Sequence, residues 1–177
     1  MRNRYAIALV LGVVPVVAVA QTQPYAGQQA REIKALSAEE IESYLSGSGM
    51  GLAKAAELNR FPGPKHVLEL GERLELSEPQ RRAVQASFDR MHARAVELGR
   101  SLVAEERALD EAFAEVRLDA SSLAEHVRAI ARLQGDLRLA HLTAHLETRA
   151  ILNADQVAAY DRLRGYRQGR EHHHHER

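Results

Sequence analysis

The sequence contains no cysteine and no tryptophan, and aromatic residues make up only 5% of its 177 positions. Without cysteine the chain can form no disulfide, no thiolate zinc site, no iron–sulfur cluster and no cysteine-linked lipid anchor. The scarcity of aromatic rings argues against surfaces that stack nucleic-acid bases. Basic and acidic residues balance at 24 each, so no net charge draws the chain to nucleic acid or to an anionic membrane. We therefore expect no nucleic-acid partner.

Residues 1–20 have the three parts of a secretory signal peptide. A basic start is followed by an apolar stretch and by the small-x-small cleavage site Ala18-Val19-Ala20. The apolar stretch is shorter than the ~20 residues of a membrane span, and it contains Pro15. The alternative is an uncleaved transmembrane anchor. The sequence predicts cleavage after Ala20 and export to the periplasm.

The rest of the chain is rich in the helix-forming residues Ala, Leu, Glu and Arg. A polar lead with short helices is predicted for 21–64, a helical domain for 65–165, and a disordered His-rich tail for 166–177. Helix starts are marked by capping boxes, in which a cap side chain and a polar side chain three residues later bond each other's backbone N–H. The predicted caps are Ser37, Ser77, Ser122 and Asn153.

Two long helices are predicted between these caps. In the first, from Ser77 to about Arg117, apolar residues recur in alternating steps of four and three as far as Val116, which is the heptad pattern of packed helices. In the second, a similar seam includes Val127 and ends near Ile151. The pattern predicts an all-α fold with no strand.

A turn of only a few residues near Asp119 joins the two long helices, so they must form an antiparallel hairpin. Gly99 and Gly135 fall near each other in this hairpin. We expect that the two glycines allow close approach of the helices.

Two helix starts share the pattern Leu-cap-x-x-Gln. The residues of this pattern are Leu76, Ser77, Gln80 and Leu152, Asn153, Gln156. Together with the signal peptide, the lack of cysteine and the length of the mature chain, this pair resembles the LTxxQ motif of the Spy/CpxP family of periplasmic helical proteins. That family includes metal-responsive relatives of the CnrX and ZraP type. The resemblance covers residues 65–165, and Ser77 and Asn153 stand where threonine is usual.

The resemblance implies a long helical hairpin with short flanking helices that pairs into a thin, cradle-like homodimer. It also implies an ATP-independent periplasmic chaperone that binds unfolded or misfolded clients and suppresses aggregation in envelope stress. Some relatives engage a membrane sensor partner. The residues themselves also favour a partner surface or an exposed apolar face, because a two-helix hairpin cannot cover all of its own apolar positions. An apolar strip on the second helix is either the client surface or dimer core, and it consists of Leu133, Leu139, Leu142 and Leu146.

The competing hypothesis is a periplasmic protein that binds or senses a heavy metal. His141 and His145 are four residues apart on one helical face, a spacing that can chelate one ion. The hairpin register places His92 beside His145 and Glu97 opposite His141. Three imidazoles and a carboxylate would suit Zn²⁺, Ni²⁺ or Cu²⁺. The alternative is that these histidines are polar residues on a half-buried face.

Other chemistry is sparse in the sequence. No Ser-His-Asp arrangement, phosphate-binding loop or HExxH motif is present, so we expect that the protein is not an enzyme. His66 precedes the first motif without the second ligand of metal-sensing relatives, because Leu70 stands four residues later. Four consecutive histidines, 172–175, would bind metal loosely or not at all. The chaperone hypothesis requires no cofactor.

Overall fold

The computed structural model describes residues 23–166. The predicted signal peptide with its cleavage site after Ala20 lies outside the described residues, as does the tail at 167–177. Residues 23–166 form helices and connecting turns and contain no strand. The all-α prediction is therefore confirmed for this part of the chain, together with the long helix pair. None of its helices has the length and hydropathy needed to cross a membrane.

The described chain begins with a 3-10 helix, Gln28–Ala30, in a separate N-terminal unit. The second unit starts at Arg31 and holds six α-helices. They are α1 (Ala38–Leu45), α2 (Lys54–Glu57), α3 (Pro64–Glu69), α4 (Glu78–Ala114), α5 (Ala120–Ile151) and α6 (Ala154–Leu163).

Helices α4 and α5, of 37 and 32 residues, form the long antiparallel hairpin. The Ser87 hydroxyl donates to Glu147 near one end, and His126 bonds Glu105 near the other. Buried aliphatic side chains from both helices fill the seam between them, as the heptad pattern predicts. They are Ala95, Leu98, Leu102, Ile130 and Leu137.

The turn of the hairpin and the start of α5 differ from the prediction in three details. Helix α4 ends at Ala114, so Val116 lies beyond it with a positive φ of 55° and is 90% exposed. Val127, also assigned to the seam, is 50% exposed. The cap of α5 is Asp119, and Ser122 is its reciprocal partner rather than the cap itself. The bond from the Ser122 N–H, at 2.8 Å, is the main cause that holds the pKa of Asp119 below its usual value.

The two Leu-cap-x-x-Gln motifs meet in the structure. Ser77 and Asn153 cap α4 and α6, each with its reciprocal glutamine, as the sequence predicts. The glutamine side chains also bond each other, because Gln80 Nε2 lies 2.9 Å from Gln156 Oε1. Gln156 donates in addition to the Leu74 carbonyl at 3.2 Å. The motifs thus join the starts of two helices 76 residues apart.

We expect that the motif glutamines stabilise the fold together rather than singly. Gln80→Ala and Gln156→Ala should each cost about 1–3 kcal/mol of unfolding free energy, since each leaves polar groups without partners. The double variant should cost less than the sum, with a coupling of about 1 kcal/mol. Urea unfolding of the parent, both single variants and the double variant measures this coupling. Strictly additive losses would contradict a direct bond between the two side chains.

A core around the meeting motifs closes the end of the hairpin. Its buried side chains come from α3, α4, α6 and the segments between them. They are Val67, Leu74, Val84, Leu152, Val157 and Tyr160. A smaller core, formed by Ile33, Leu36 and Val103, joins the start of this unit to α4.

Gly99 serves a different contact from the predicted one. A Cβ at Gly99 would lie 2.0 Å from the backbone oxygen of Tyr44, at the end of α1, whereas a Cβ at Gly135 would meet nothing within 4 Å. The expectation that the two glycines bring α4 and α5 together is therefore wrong. Gly99 instead lets the backbone of α1 rest directly on α4.

Candidate functional site: a histidine-lined cavity

A cavity of about 280 Å³ lies between the short helices and the hairpin. The predicted histidines His92, His141 and His145 all line it, and His66 of α3 lines it as well. The loop after α1 and the start of α3 provide the facing wall, through residues 46–49 and 63–65. The fold thus brings the histidines of three helices to one cavity.

His145 has a defined hydrogen bond on one ring nitrogen. Its Nδ1 lies 2.7 Å from the backbone oxygen of Phe61, which can only accept, so Nδ1 carries the proton. The side chain is 11% exposed. In the neutral ring Nε2 then keeps its lone pair. A Cβ at Gly63 would lie 3.0 Å from this Nε2, so the absent side chain leaves room for the nitrogen.

His141 is buried and lacks a partner on one nitrogen. The residue is 6% exposed, and its Nε2 has no hydrogen-bond partner among the described residues. Burial lowers the pKa of His141 below its usual 6.5, and the charges that His145 and His92 can carry lower it further. Its ring is therefore neutral at neutral pH and has a lone pair to share.

The lowered pKa of His141 predicts a loss of stability in mild acid. The unfolded chain binds this proton more readily than the folded one, so the stabilisation is complete above about pH 6.5 and declines as the pH falls through that value. Urea unfolding at about pH 7.5 and pH 5.5 measures the change for the parent and for His141→Gln. The parent should lose more stability between these pH values than the variant. Equal losses would show that His141 does not titrate differently on folding.

The other two histidines of the cavity are more open. His92 is exposed and stacks on Phe88, with ring centroids 5.6 Å apart and planes inclined by 8°. His66 Nδ1 lies 2.9 Å from a carboxylate oxygen of Glu69, and this bond is the main cause that lowers the pKa of Glu69. His92 is thus held by its stacking on Phe88, and His66 by its bond to Glu69.

Glycines shape the wall that faces these rings. Gly47 has a φ of 64°, which favours glycine, and a Cβ there would lie 3.1 Å from Nδ1 of His92. A Cβ at Gly49 would lie 4.0 Å from Cε1 of His141. The glycines let backbone, rather than side chains, close over the imidazoles.

The carboxylate beside His145 is Glu57, and the predicted Glu97 is directed to another partner. Glu97 pairs with Arg94 of its own helix at 2.8 Å, and its side chain is 67% exposed. A Glu57 oxygen lies 3.7 Å from Nδ1 of His145, and the Glu57 side chain is only 13% exposed. The hairpin register cannot predict this contact, because Glu57 comes from the short helix α2.

Within residues 23–166 no group of three His, Asp or Glu side chains is placed to hold one metal ion. His141 and His145 offer two lone pairs from consecutive turns of one helix. A third protein ligand would have to come from His66 or His92, which line the same cavity. Alternatively, water would complete the coordination.

The predicted apolar strip on α5 divides into exposed and packed residues. Leu139 and Leu146 are 61% and 58% exposed, and Leu142 is half-buried. Leu133 packs against the hairpin core. Leu139 also lines an open groove of about 290 Å³ between α4 and α5, with Arg90 and Arg94 at its edge.

No protein-family model, no curated protein and no solved structure matches this chain.

Proposed function

We propose that the protein binds a borderline transition-metal ion, Zn²⁺, Ni²⁺ or Cu²⁺, in the histidine-lined cavity. The observation that carries this proposal is the buried Nε2 of His141, which has no hydrogen-bond partner among the described residues. A buried polar atom without a partner costs about 1–3 kcal/mol, and a bound ion would remove that cost. Imidazole nitrogen is a ligand that all three ions accept.

His145 supports the same proposal through its proton. Histidines that bind metals usually donate their other ring N–H to a carbonyl or carboxylate, which fixes the tautomer. His145 makes this bond to the Phe61 carbonyl. His141 and His145 thus lie one helical turn apart on α5. His141 and His145 would hold the ion, with His66 or His92 as a candidate further ligand, and the ion would supply a positive charge to the cavity.

Calorimetric titration of metal into the mature chain tests the proposal. The four tail histidines 172–175 must first be changed to alanine, because they would bind metal themselves. We expect saturable one-to-one binding at micromolar affinity or tighter, which weakens as the pH falls below about 6.5 and imidazoles protonate. The double variant His141→Ala, His145→Ala should bind at least tenfold more weakly.

A matched control shows whether the loss belongs to the cavity. His126 lies near the turn of the hairpin, where it bonds Glu105 at 2.6 Å. His126→Ala should therefore leave the affinity unchanged. Absence of saturable heat from the parent with all three ions would end the proposal.

The second candidate function is the chaperone activity that the Spy/CpxP resemblance implies. The observation that favours it is the exposure of Leu139 and Leu146 on the outer face of α5. Exposed leucines attract apolar segments of unfolded clients, and arginine side chains at the groove add adaptable polar contacts. Pairing of two chains into a homodimer would use the same residues, so the surface belongs either to clients or to a second copy. A membrane sensor partner and a periplasmic location are proposed on the resemblance and on the predicted signal peptide.

We expect the mature protein to suppress aggregation of chemically unfolded clients without ATP, at up to equimolar ratio. The triple variant Leu139→Ser, Leu142→Ser, Leu146→Ser should lose most of this effect, measured by light scattering. Sedimentation equilibrium at micromolar concentration distinguishes the two uses of the surface. A variant that remains dimeric but inactive identifies client contacts, whereas a monomeric variant identifies dimer core. No suppression for several unrelated clients would exclude the chaperone function.

A further inference from the structure

Glu57 has more polar contacts than any role in local helix structure requires. It is the last residue of α2, which has only four residues, yet its side chain is 13% exposed. One carboxylate oxygen, Oε1, accepts the hydroxyls of Tyr160 at 2.5 Å and Tyr166 at 2.9 Å. Arg164 lies 3.6 Å from the same oxygen. The other oxygen, Oε2, lies near the Gly63 backbone and the His145 ring.

The contacts of Oε2 lead to His145. Oε2 accepts the backbone N–H of Gly63 at 3.1 Å and lies 3.7 Å from Nδ1 of His145. Gly63 is two residues after Phe61, whose carbonyl accepts the His145 proton. Pro62, between them, is fully buried. Glu57 therefore holds the backbone that fixes His145, and its negative charge lies on the protonated side of the ring.

The position of Glu57 affects which ring nitrogen of His145 carries the lone pair. A carboxylate beside Nδ1 favours the tautomer with the proton on Nδ1 and leaves Nε2 for an ion. It also offsets part of the positive charge that an ion would bring into a half-buried site. Without the carboxylate, the Phe61 carbonyl alone would retain the ring.

We propose that Glu57 is a positioning residue for the metal cavity, which keeps His145 protonated at Nδ1 with Nε2 directed to the ion. This inference rests on the proposed metal-binding function. Tyr160 and Tyr166 hold Glu57 in turn, so the strength of the site depends on the end of α6. The Tyr166 hydroxyl, which donates to Glu57, would thus affect metal affinity although Tyr166 itself is not a ligand.

Glu57→Gln tests the proposal, because the amide keeps the size of the side chain and removes its charge. Glu97→Gln is the matched control, since Glu97 is the carboxylate that the hairpin register places near His141. All proteins are the full mature chain with alanine at the four tail histidines. The probes are Zn²⁺ titration by calorimetry and, without metal, two-bond ¹H–¹⁵N correlation spectra of the imidazole rings.

We expect the parent to show His145 protonated at Nδ1, and Glu57→Gln to show a mixture of tautomers. The Zn²⁺ dissociation constant should rise about tenfold in Glu57→Gln and stay unchanged in Glu97→Gln. If Glu57→Gln does not fold, Tyr166→Phe tests the same support more mildly and should raise the constant about threefold. An unchanged tautomer and an unchanged constant would overturn the proposal.

The two proposals fail in different ways. Zn²⁺ binding by the parent with no effect of Glu57→Gln overturns the role of Glu57 alone. No binding of any of the three ions by the parent overturns the metal function, while the tautomer of His145 still decides whether Glu57 positions the ring.

Discussion

Replacing Gly99 by alanine should lower the free energy of unfolding by about 3 kcal/mol. The new Cβ would lie 2.0 Å from the backbone oxygen of Tyr44, a separation that no side-chain rotation can relieve. Either α1 moves away from α4 or the helix distorts. The small core of Ile33, Leu36 and Val103 then loses its packing. Chemical unfolding followed by circular dichroism measures the loss.

Gly135→Ala is the matched control, because a Cβ at this position in α5 meets nothing within 4 Å. Alanine is a better helix former than glycine by about 1 kcal/mol, so this variant should be more stable than the parent. The two substitutions are chemically identical and should differ in sign. A stabilising Gly99→Ala would show that α1 does not rest on α4 in solution.

The second large effect is expected at Tyr160. Its side chain is fully buried in the core that closes the hairpin, and its hydroxyl donates to Glu57. Burial raises the pKa of Tyr160, and the bond to Glu57 raises it further, so the phenol stays a donor at any physiological pH. Tyr160→Ala should cost about 4 kcal/mol through the cavity that it leaves.

Tyr160→Phe separates packing from the hydrogen bond. It keeps the ring and removes the hydroxyl, so it should cost about 1–3 kcal/mol. Urea unfolding of both variants gives the comparison. A Phe variant as unstable as the Ala variant would show that the bond to Glu57, rather than ring packing, dominates at this position.

The sequence predicted the all-α character and the long helix pair because the signals for them are local. Capping boxes and heptad spacing depend on residues three to seven apart, and they predict α1, α4 and α6 within a few residues. The contact of Gly99 with Tyr44 was not predictable, because nothing in a helical pattern says which neighbour a bare backbone surface meets. The sequence predicts Ser122 as the cap of α5, but Asp119 is also a good cap residue, and in the structure it caps the helix with Ser122 as its reciprocal partner.

The site was partly predictable for the same reason. The spacing of His141 and His145 and the antiparallel register bring His92 close without any knowledge of other helices. His66 and Glu57 come from short helices whose position over the hairpin has no sequence signature. The density of glycine and proline between residues 47 and 64 was the available signal, since such segments allow close backbone approach. The sequence did not show that this segment would contact the histidines of the hairpin.

The hydrogen bond between Phe61 and His145 limits the stage of folding at which the histidine cavity can form. It joins residues 84 positions apart, and closing so long a loop is slow relative to the growth of either helix. The cavity wall between α1 and α3 meets the rings of α5 only when this long-range contact is made. A chain that is still unfolded carries the histidines but not the cavity. It would therefore lack the arrangement of imidazoles on which the proposed metal binding depends. If the cavity binds a metal as proposed, the ion would be taken up after folding, from the compartment in which the chain folds.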